Sequence, residues 1–355
     1  MRTQLRPIRR SPFRQIFFIS LVLLSLVVTS CMGSSNAKDA NVTIIGSGGT
    51  FPAPLYQRWF SEYNKQKPNI QVSYQAVGSG AGVEQFTTGT VDFGASDTAM
   101  KDEEIKKVKQ GVIMLPMTAG NIVLAYHFPN AKSGLQLSRQ ALADIFLGKV
   151  KTWNDPAIAK LNPGVDLPDS PITVIHRSEG SGTTDVFTKF LSKISPEWKE
   201  QVGEGKAVSW VVGLGGKGNA GVAAQIQQID GAIGYVEYVY AREAKIPIAK
   251  LENKAGKYIE PTTESATKAL DTAKLPENLR VFITDPDGEE SYPLVTYTWM
   301  MVYKKYDDAT KANTLKEVLN WALTDGRKFN EELGYIPLPP EALAKVKKAI
   351  NQIQA

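Results

Sequence analysis

Three short glycine-rich stretches, each opening onto an amphipathic helical pattern, constrain this chain more than any other feature. They are Gly48-Gly49-Thr50-Phe51-Pro52, Gly78-Ser79-Gly80-Ala81-Gly82 and Arg177-Ser178-Glu179-Gly180-Ser181-Gly182-Thr183-Thr184. Glycine lets a backbone approach a ligand closely. A helix start adds unpaired N–H groups and the positive end of the helix dipole. Strand, glycine turn and helix in succession is an α/β signature, and three such starts point to one oxyanion held by several loops.

The flanking patterns agree. Residues 42–45 read as a buried strand. From Pro52 the apolar residues Leu55, Tyr56, Trp59, Phe60 and Tyr63 follow the spacing of one helix face. Pro52 suits the first helical turn, where its missing N–H costs nothing, and Thr50 is placed to cap that end. Residues 70–74 alternate as a second strand, 79–86 repeat the turn-to-helix theme, and 91–97 form a short strand ending in a polar turn. Stretches 113–116 and 122–126 read as two strands, between which the chain crosses into another lobe. Helices are expected at 141–147 and 155–161. A strand at 172–175 delivers Arg177, and Val186, Phe187, Phe190 and Leu191 mark the helix beyond it. A fourth glycine-rich turn, 213–221, precedes a helix at 223–229 and a strand at 232–235. Residues 245–289, polar and broken by Pro247, Pro261, Pro276 and Pro286, carry no readable pattern. A strand at 294–303 and helices at 315–329 and 340–353 complete the reading.

The N-terminus reads as a secretion signal. Residues 1–30 hold five arginines, then an apolar run of 13 residues over 16–28, then Val28-Thr29-Ser30-Cys31. That run is shorter than the roughly 18 to 20 residues of a spanning helix. A branched aliphatic, two small residues and a cysteine resemble the lipobox of bacterial lipoproteins, which makes Cys31 the candidate lipid anchor and 31–41 a lipidated tether. A free thiol is the alternative, and Arg9-Arg10 fits twin-arginine export only loosely. The formal charge of +5 lies entirely in the leader, because Arg2, Arg6, Arg9, Arg10 and Arg14 face no acid before Cys31. The remainder is neutral and lacks the basic footprint of a nucleic-acid binder. Cys31 is the only cysteine, so no internal disulfide and no thiolate cluster can form. At 355 residues the chain exceeds what one hydrophobic core organises, and two lobes are expected.

Enzyme signatures fail on spacing. A nucleophile elbow needs glycine two residues to each side of its serine, whereas Ser79 has Val77 and Ala81, and Ser181 has Glu179 and Thr183. A P-loop lysine is followed by serine or threonine, but Lys217 precedes Gly218. The two histidines, His127 and His176, lack metal-site spacing and are expected to be structural. What remains is a donor set for a tetrahedral oxyanion: hydroxyls of Thr50, Ser79, Ser181 and Thr183, N–H groups of Phe51 and Gly182, and the guanidinium of Arg177, whose planar fork suits phosphate. Taken singly, each turn could be a simple helix cap. Asp97 would choose the anion. Its carboxylate repels a fully ionised ligand but accepts O–H from one that keeps a proton, as phosphate does near neutral pH and sulfate does not. Sites built around a ligand hydrogen reject analogues lacking it by about 10⁴ to 10⁵.

At these residues the chain resembles the periplasmic phosphate-binding proteins of bacterial ABC phosphate transporters. The resemblance rests on Gly-Gly-Thr-Phe-Pro-Ala-Pro-Leu-Tyr at 48–56, Val-Asp-Phe-Gly-Ala-Ser-Asp at 91–97, Gly-Ser-Gly-Thr at 180–183, Gly-Leu-Gly-Gly-Lys-Gly-Asn at 213–219 and Gly-Ala-Ile-Gly-Tyr-Val-Glu-Tyr at 231–238. It implies a two-lobed periplasmic-binding-protein fold of type II, with residues 42–119 and 290–355 in lobe I, 120–289 in lobe II, and two crossovers. The implied phosphate contacts are Thr50, Phe51, Ser79, Asp97, Arg177, Ser181, Gly182 and Thr183. Glu179, where relatives often carry aspartate, would support Arg177. The implied partners are inorganic phosphate and the membrane permease subunits of an ABC transporter. No cofactor, metal, nucleic acid or catalysis is implied, and a monomer is expected. Alternatives are a binder of another tetrahedral oxyanion, a phosphate sensor, or an extracellular phosphate-ester hydrolase.

Overall fold

The computed structural model describes residues 41–355. The secretion signal, Cys31 and nearly all of the tether lie outside the described residues. The chain opens with β1 (Val42–Gly48), α1 (Ala53–Gln66), β2 (Ile70–Ala76), α2 (Ser79–Thr87) and β3 (Phe93–Ser96). These are two strand–glycine turn–helix units, with β1 parallel to both β2 and β3. Helix α1 forms because Leu55, Tyr56, Trp59, Phe60 and Tyr63 fall on one face and are buried there, worth on the order of 1.5 to 3 kcal/mol each. Pro52 flanks its start and no side chain caps it. Thr50 therefore does not serve as the expected cap, and its hydroxyl is engaged elsewhere.

A single turn, α3 (Asp102–Ile105), leads into β4 (Val112–His127). The sequence suggested two strands here, but β4 is one strand, buried almost throughout. Beyond it come β5 (Gln136–Leu137), α4 (Arg139–Phe146), α5 (Pro156–Ala159), β6 (Thr173–Arg177), α6 (Gly182–Ile194), α7 (Pro196–Gln201), β7 (Leu214–Gly216), α8 (Gly218–Gln228), β8 (Ala232–Glu237) and α9 (Tyr238–Glu243). The unreadable region holds β9 (Lys250–Glu252), β10 (Tyr258–Ile259) and α10 (Thr263–Asp271). Side chains bonding to backbone organise it in place of periodic burial. Asn253 donates to the carbonyls of Gly288, Glu289 and Ser291, and Thr262 caps α10. Then follow β11 (Val295–Tyr303), α11 (Ala309–Ala322), α12 (Lys328–Leu333) and α13 (Pro340–Ile350). The expected helix over 315–329 is broken by a 3₁₀ turn at Asp325–Arg327, where the Gly326 carbonyl accepts the Trp59 indole N–H at 2.9 Å.

The main sheet runs β2-β1-β3-β11-β4-β8-β6-β7, and β10-β9-β5 form a small second sheet. Strand β4 joins the two halves of the main sheet. Its residues 112–121 pair with β11 and its residues 122–127 with β8, both antiparallel. The chain passes between the halves in β4 and again just before β11. There the Ile122 N–H donates to the Leu294 carbonyl at 2.9 Å, and the Tyr292 hydroxyl donates to the Ile122 carbonyl at 3.1 Å.

Candidate anion-binding site

Strands β1 and β3 run parallel to each other, β6 runs parallel to β7 and β8, and all three end at one place, the carboxyl edge where open α/β sheets hold ligands. Strand β1 delivers Thr50 and Phe51, β3 delivers Asp97, and β6 delivers Arg177, while Ser79 begins α2 and Ser181 caps α6. All eight predicted contact residues are buried, and their turns are packed together. The packing is backbone against backbone. The Gly80 N–H donates to the Gly180 carbonyl at 2.9 Å. A Cβ on Gly182 would sit 2.6 Å from Ser79 Oγ and 2.8 Å from Asp97 N, so only glycine permits this approach.

Asp97 is the centre of the cluster. Its Oδ2 accepts the Thr183 hydroxyl at 3.1 Å and, more loosely, the Ser79 hydroxyl at 3.5 Å. Its Oδ1 accepts the Thr298 hydroxyl at 3.1 Å. Thr296 donates to its carbonyl at 3.0 Å. Burial pushes the carboxyl up to about 6, although Arg177 and the hydroxyls of Thr183, Thr298 and Ser79 pull the other way. An ionised carboxylate offers about four acceptor positions, so one position on Oδ1 remains for a ligand hydrogen.

Arg177 is 3% exposed. Its Nε donates to Glu179 Oε1 at 2.9 Å and its Nη2 to the same oxygen, while Nη1 reaches Thr183 Oγ1 at 3.3 Å. Glu179 thus pairs with the arginine. It also accepts the Gly218 N–H at the start of α8, at 3.1 and 3.2 Å. Burial would raise the Glu179 carboxyl, but the charge and hydrogen bonds of Arg177, with the Gly218 N–H, outweigh it and hold the group below its ordinary value. One cation thus faces two carboxylates. Ion pairing alone cannot hold a further anion here, and the helix starts must supply the remaining positive potential.

Three tyrosines fix the first turn from behind. Tyr74 donates to the Gly49 carbonyl at 2.7 Å, Tyr240 to that of Thr50 at 2.5 Å, and Tyr335 to that of Phe51 at 2.6 Å. A trans peptide sets N–H opposite C=O, so the Phe51 N–H points away from Tyr240. At the start of α6 the Gly182 N–H has no intrahelical partner by position, and the Ser181 hydroxyl accepts the Thr184 N–H at 3.1 Å. Beside the cluster opens a cleft lined by Thr50, Pro54, Gln57, Val77, Lys217 and Tyr240.

His176 stacks on Trp210 with ring centroids 4.6 Å apart, and burial lowers its pKa. His127 ends β4 and pairs with Asp230 at 3.1 Å. Among the described residues, no group of three or more His, Cys, Asp or Glu is placed to hold a metal ion, and no helix is long and apolar enough to cross a membrane. Sequence reasoning missed Thr296, Thr298, Asn219, Tyr74, Tyr240, Tyr335 and Tyr235, whose hydroxyl accepts the Arg177 backbone N–H at 3.1 Å. Thr296 and Thr298 were legible in part: two hydroxyls at i and i+2 in an apolar strand share a face. Asn219 stood inside a motif already singled out.

A model described as the PBP superfamily domain matches residues 34–326. The phosphate-binding protein PstS of Pasteurella multocida is 44% identical over 308 residues, covering 86% of this chain and 89% of the relative. That of Haemophilus influenzae is 43% identical over 319 residues, covering 89% and 94%. A solved structure of a high-affinity periplasmic phosphate-binding protein (PfluDING), bound with phosphate, matches with a TM-score of 0.70 at 19% identity over 86% of this chain and 93% of that one. The likeness shows the fold to be the two-lobed α/β architecture of periplasmic binding proteins. The chain belongs to the PBP superfamily and, within it, to the family of the PstS phosphate-binding proteins.

Proposed function

We propose that this protein binds inorganic phosphate outside the cytoplasmic membrane and delivers it to an ABC-type permease, without performing chemistry on it. The observation that carries the reading is the buried juxtaposition of Asp97 with Arg177, Ser79 and Thr183. It sets an acceptor-only carboxylate among donors, which suits a tetrahedral anion that retains a proton. In this reading Thr50 and Ser181 donate hydroxyls, Ser79 and Thr183 turn theirs from Asp97 to the ligand, Phe51 and Gly182 donate N–H groups, Arg177 supplies the charge, and Asp97 accepts the ligand hydrogen. Glu179 aims Arg177. The names of the relatives support the ligand, and the description of the solved structure as periplasmic agrees with the setting.

Lobe I comprises 42–119 and 290–355 and lobe II 120–289, with the pairing switch in β4 and the return before β11 as crossovers. The closed, monomeric form docks on the permease, and Cys31, after removal of 1–30, holds the protein at the membrane through several acyl chains, since one chain alone gives marginal attachment. Isothermal titration of the ligand-stripped protein with phosphate, sulfate and arsenate tests the reading. Tight phosphate binding with sulfate weaker by several orders of magnitude is expected. Equal affinity for sulfate refutes the assignment of Asp97, and release of phosphate from esters refutes the absence of catalysis.

A further inference from the structure

The fourth glycine-rich turn, which gives the Gly218 N–H to Glu179, also closes over the first turn. Asn219 is the second residue of α8 and is fully buried. Its backbone N–H donates to Thr50 Oγ1 at 3.1 Å and its Nδ2 to the same oxygen at 2.8 Å. Its Oδ1 accepts the Glu237 N–H at 2.9 Å. Lys217, which flanks α8, makes no side-chain cap. The open first turn of that helix is satisfied by the Glu179 carboxylate at Gly218 and by the Thr50 hydroxyl at Asn219.

The amide can sit only one way round. A backbone N–H donates only, so Oδ1 must face Glu237 and Nδ2 must face Thr50. A threonine oxygen has two lone pairs and one hydrogen. Both lone pairs are taken by Asn219, and the Thr50 hydroxyl finds no acceptor among the described residues. Its single hydrogen is left to donate.

We infer that Asn219 is a positioning residue that fastens α8 to the first turn across the cleft and forces the Thr50 hydroxyl to act as a donor to the bound anion. The inference rests on the phosphate reading above and on Thr50 and Asn219 lying in different lobes. Because the contact exists only after the lobes meet, it slows ligand escape without helping ligand entry.

The test is a double-mutant cycle on the mature protein with inorganic phosphate, using Asn219→Ala, Thr50→Val and the pair, each followed by titration and by stopped-flow association and dissociation. Asn219→Ala is expected to weaken phosphate about tenfold. The loss should lie in the dissociation rate, with the association rate unchanged and the ligand-free melting temperature lowered only by the few degrees that an unpaired Glu237 N–H costs. The double variant should bind about as weakly as the worse single one, because both remove the same contact. Asn219→Asp keeps the shape and presents an acceptor to Thr50, so the hydroxyl turns towards it; this variant should lose more than tenfold and guards against a folding defect in the alanine variant. Wild-type dissociation from both Asn219 variants, or losses that multiply fully in the cycle, would overturn the inference. A wild-type protein indifferent to phosphate in the same titration would instead overturn the phosphate reading, and this role with it.

Discussion

At the scale of the residue, the phosphate reading puts the selectivity on Asp97. Its carboxyl is raised from 3.8 to about 6 by burial, so near neutral pH it is ionised but within reach of a proton. Phosphate brings its own hydrogen. Sulfate brings none, and binds only when Asp97 has taken one up. Sulfate affinity should therefore fall about tenfold for each pH unit above about 6 and level off below it, while phosphate, measured in parallel by competition, keeps its lead above that point. Asn at position 97 carries a permanent donor, so Asp97→Asn should admit sulfate better, weaken phosphate and flatten the sulfate profile. A sulfate profile already flat from pH 5 to 8 in the wild type would remove Asp97 from this role. The sequence makes Asp97 conspicuous because it ends a short apolar strand in a polar turn. Ser79 and Thr183 are legible in their glycine-rich turns, but the sequence hides Thr298, which arrives from 201 residues away with nothing local to mark its destination.

Between elements, closeness is set by glycine. The start of α6 meets α2 and the end of β3 with no room for a methyl group at Gly182. Gly182→Ala must push α6 back, because its nearest neighbours are the short Ser79 side chain and the Cβ and backbone nitrogen of Asp97, which have little room to yield. Overpacking of this kind costs about 1 to 3 kcal/mol, and here the cost falls on closure, since the atoms that collide belong to different halves of the sheet. Phosphate affinity should drop about ten- to a hundredfold, while the ligand-free melting temperature holds within a few degrees; a lowered melting temperature with unchanged affinity would place the contact in the fold rather than in closure. The turn-to-helix units are legible because strand period, glycine and helix period succeed one another within 20 residues or so. β4 is harder to see, since the run Thr118-Ala119-Gly120-Asn121 breaks its apolar pattern although the structure keeps it in strand pairing. Residues 245–289 are harder still, being ordered by single buried amides such as Asn253, which leave no periodicity.

For the whole molecule, the proposed reading makes the titration that sets selectivity also bias shape. In the ligand-free closed form Asp97 is cut off from water, and an open cleft returns it to solvent and to an ordinary carboxylate value. The closed-form pKa is the higher one, about 6 against 3.8. Protonation therefore favours closure: the stabilisation is complete below 3.8 and is lost as pH rises through about 6. Arg177 and Glu179 do not cancel this, because they pair with each other and, on the proposed lobe boundaries, would travel together when the lobes part. Above that window the unliganded protein should rest open, and phosphate, which brings both a hydrogen for Asp97 and acceptors for the helix starts, should close it. Solution scattering then has two expected outcomes. At pH 8 phosphate should reduce the radius of gyration. Without phosphate, lowering the pH towards 4.5 should reduce it part of the way, and in Asp97→Asn, which has no charge to bury, that pH response should vanish. A ligand-free radius that is the same at both pH values in the wild type would mean that closure does not depend on the Asp97 proton, and that the hinge is governed by contacts away from the anion.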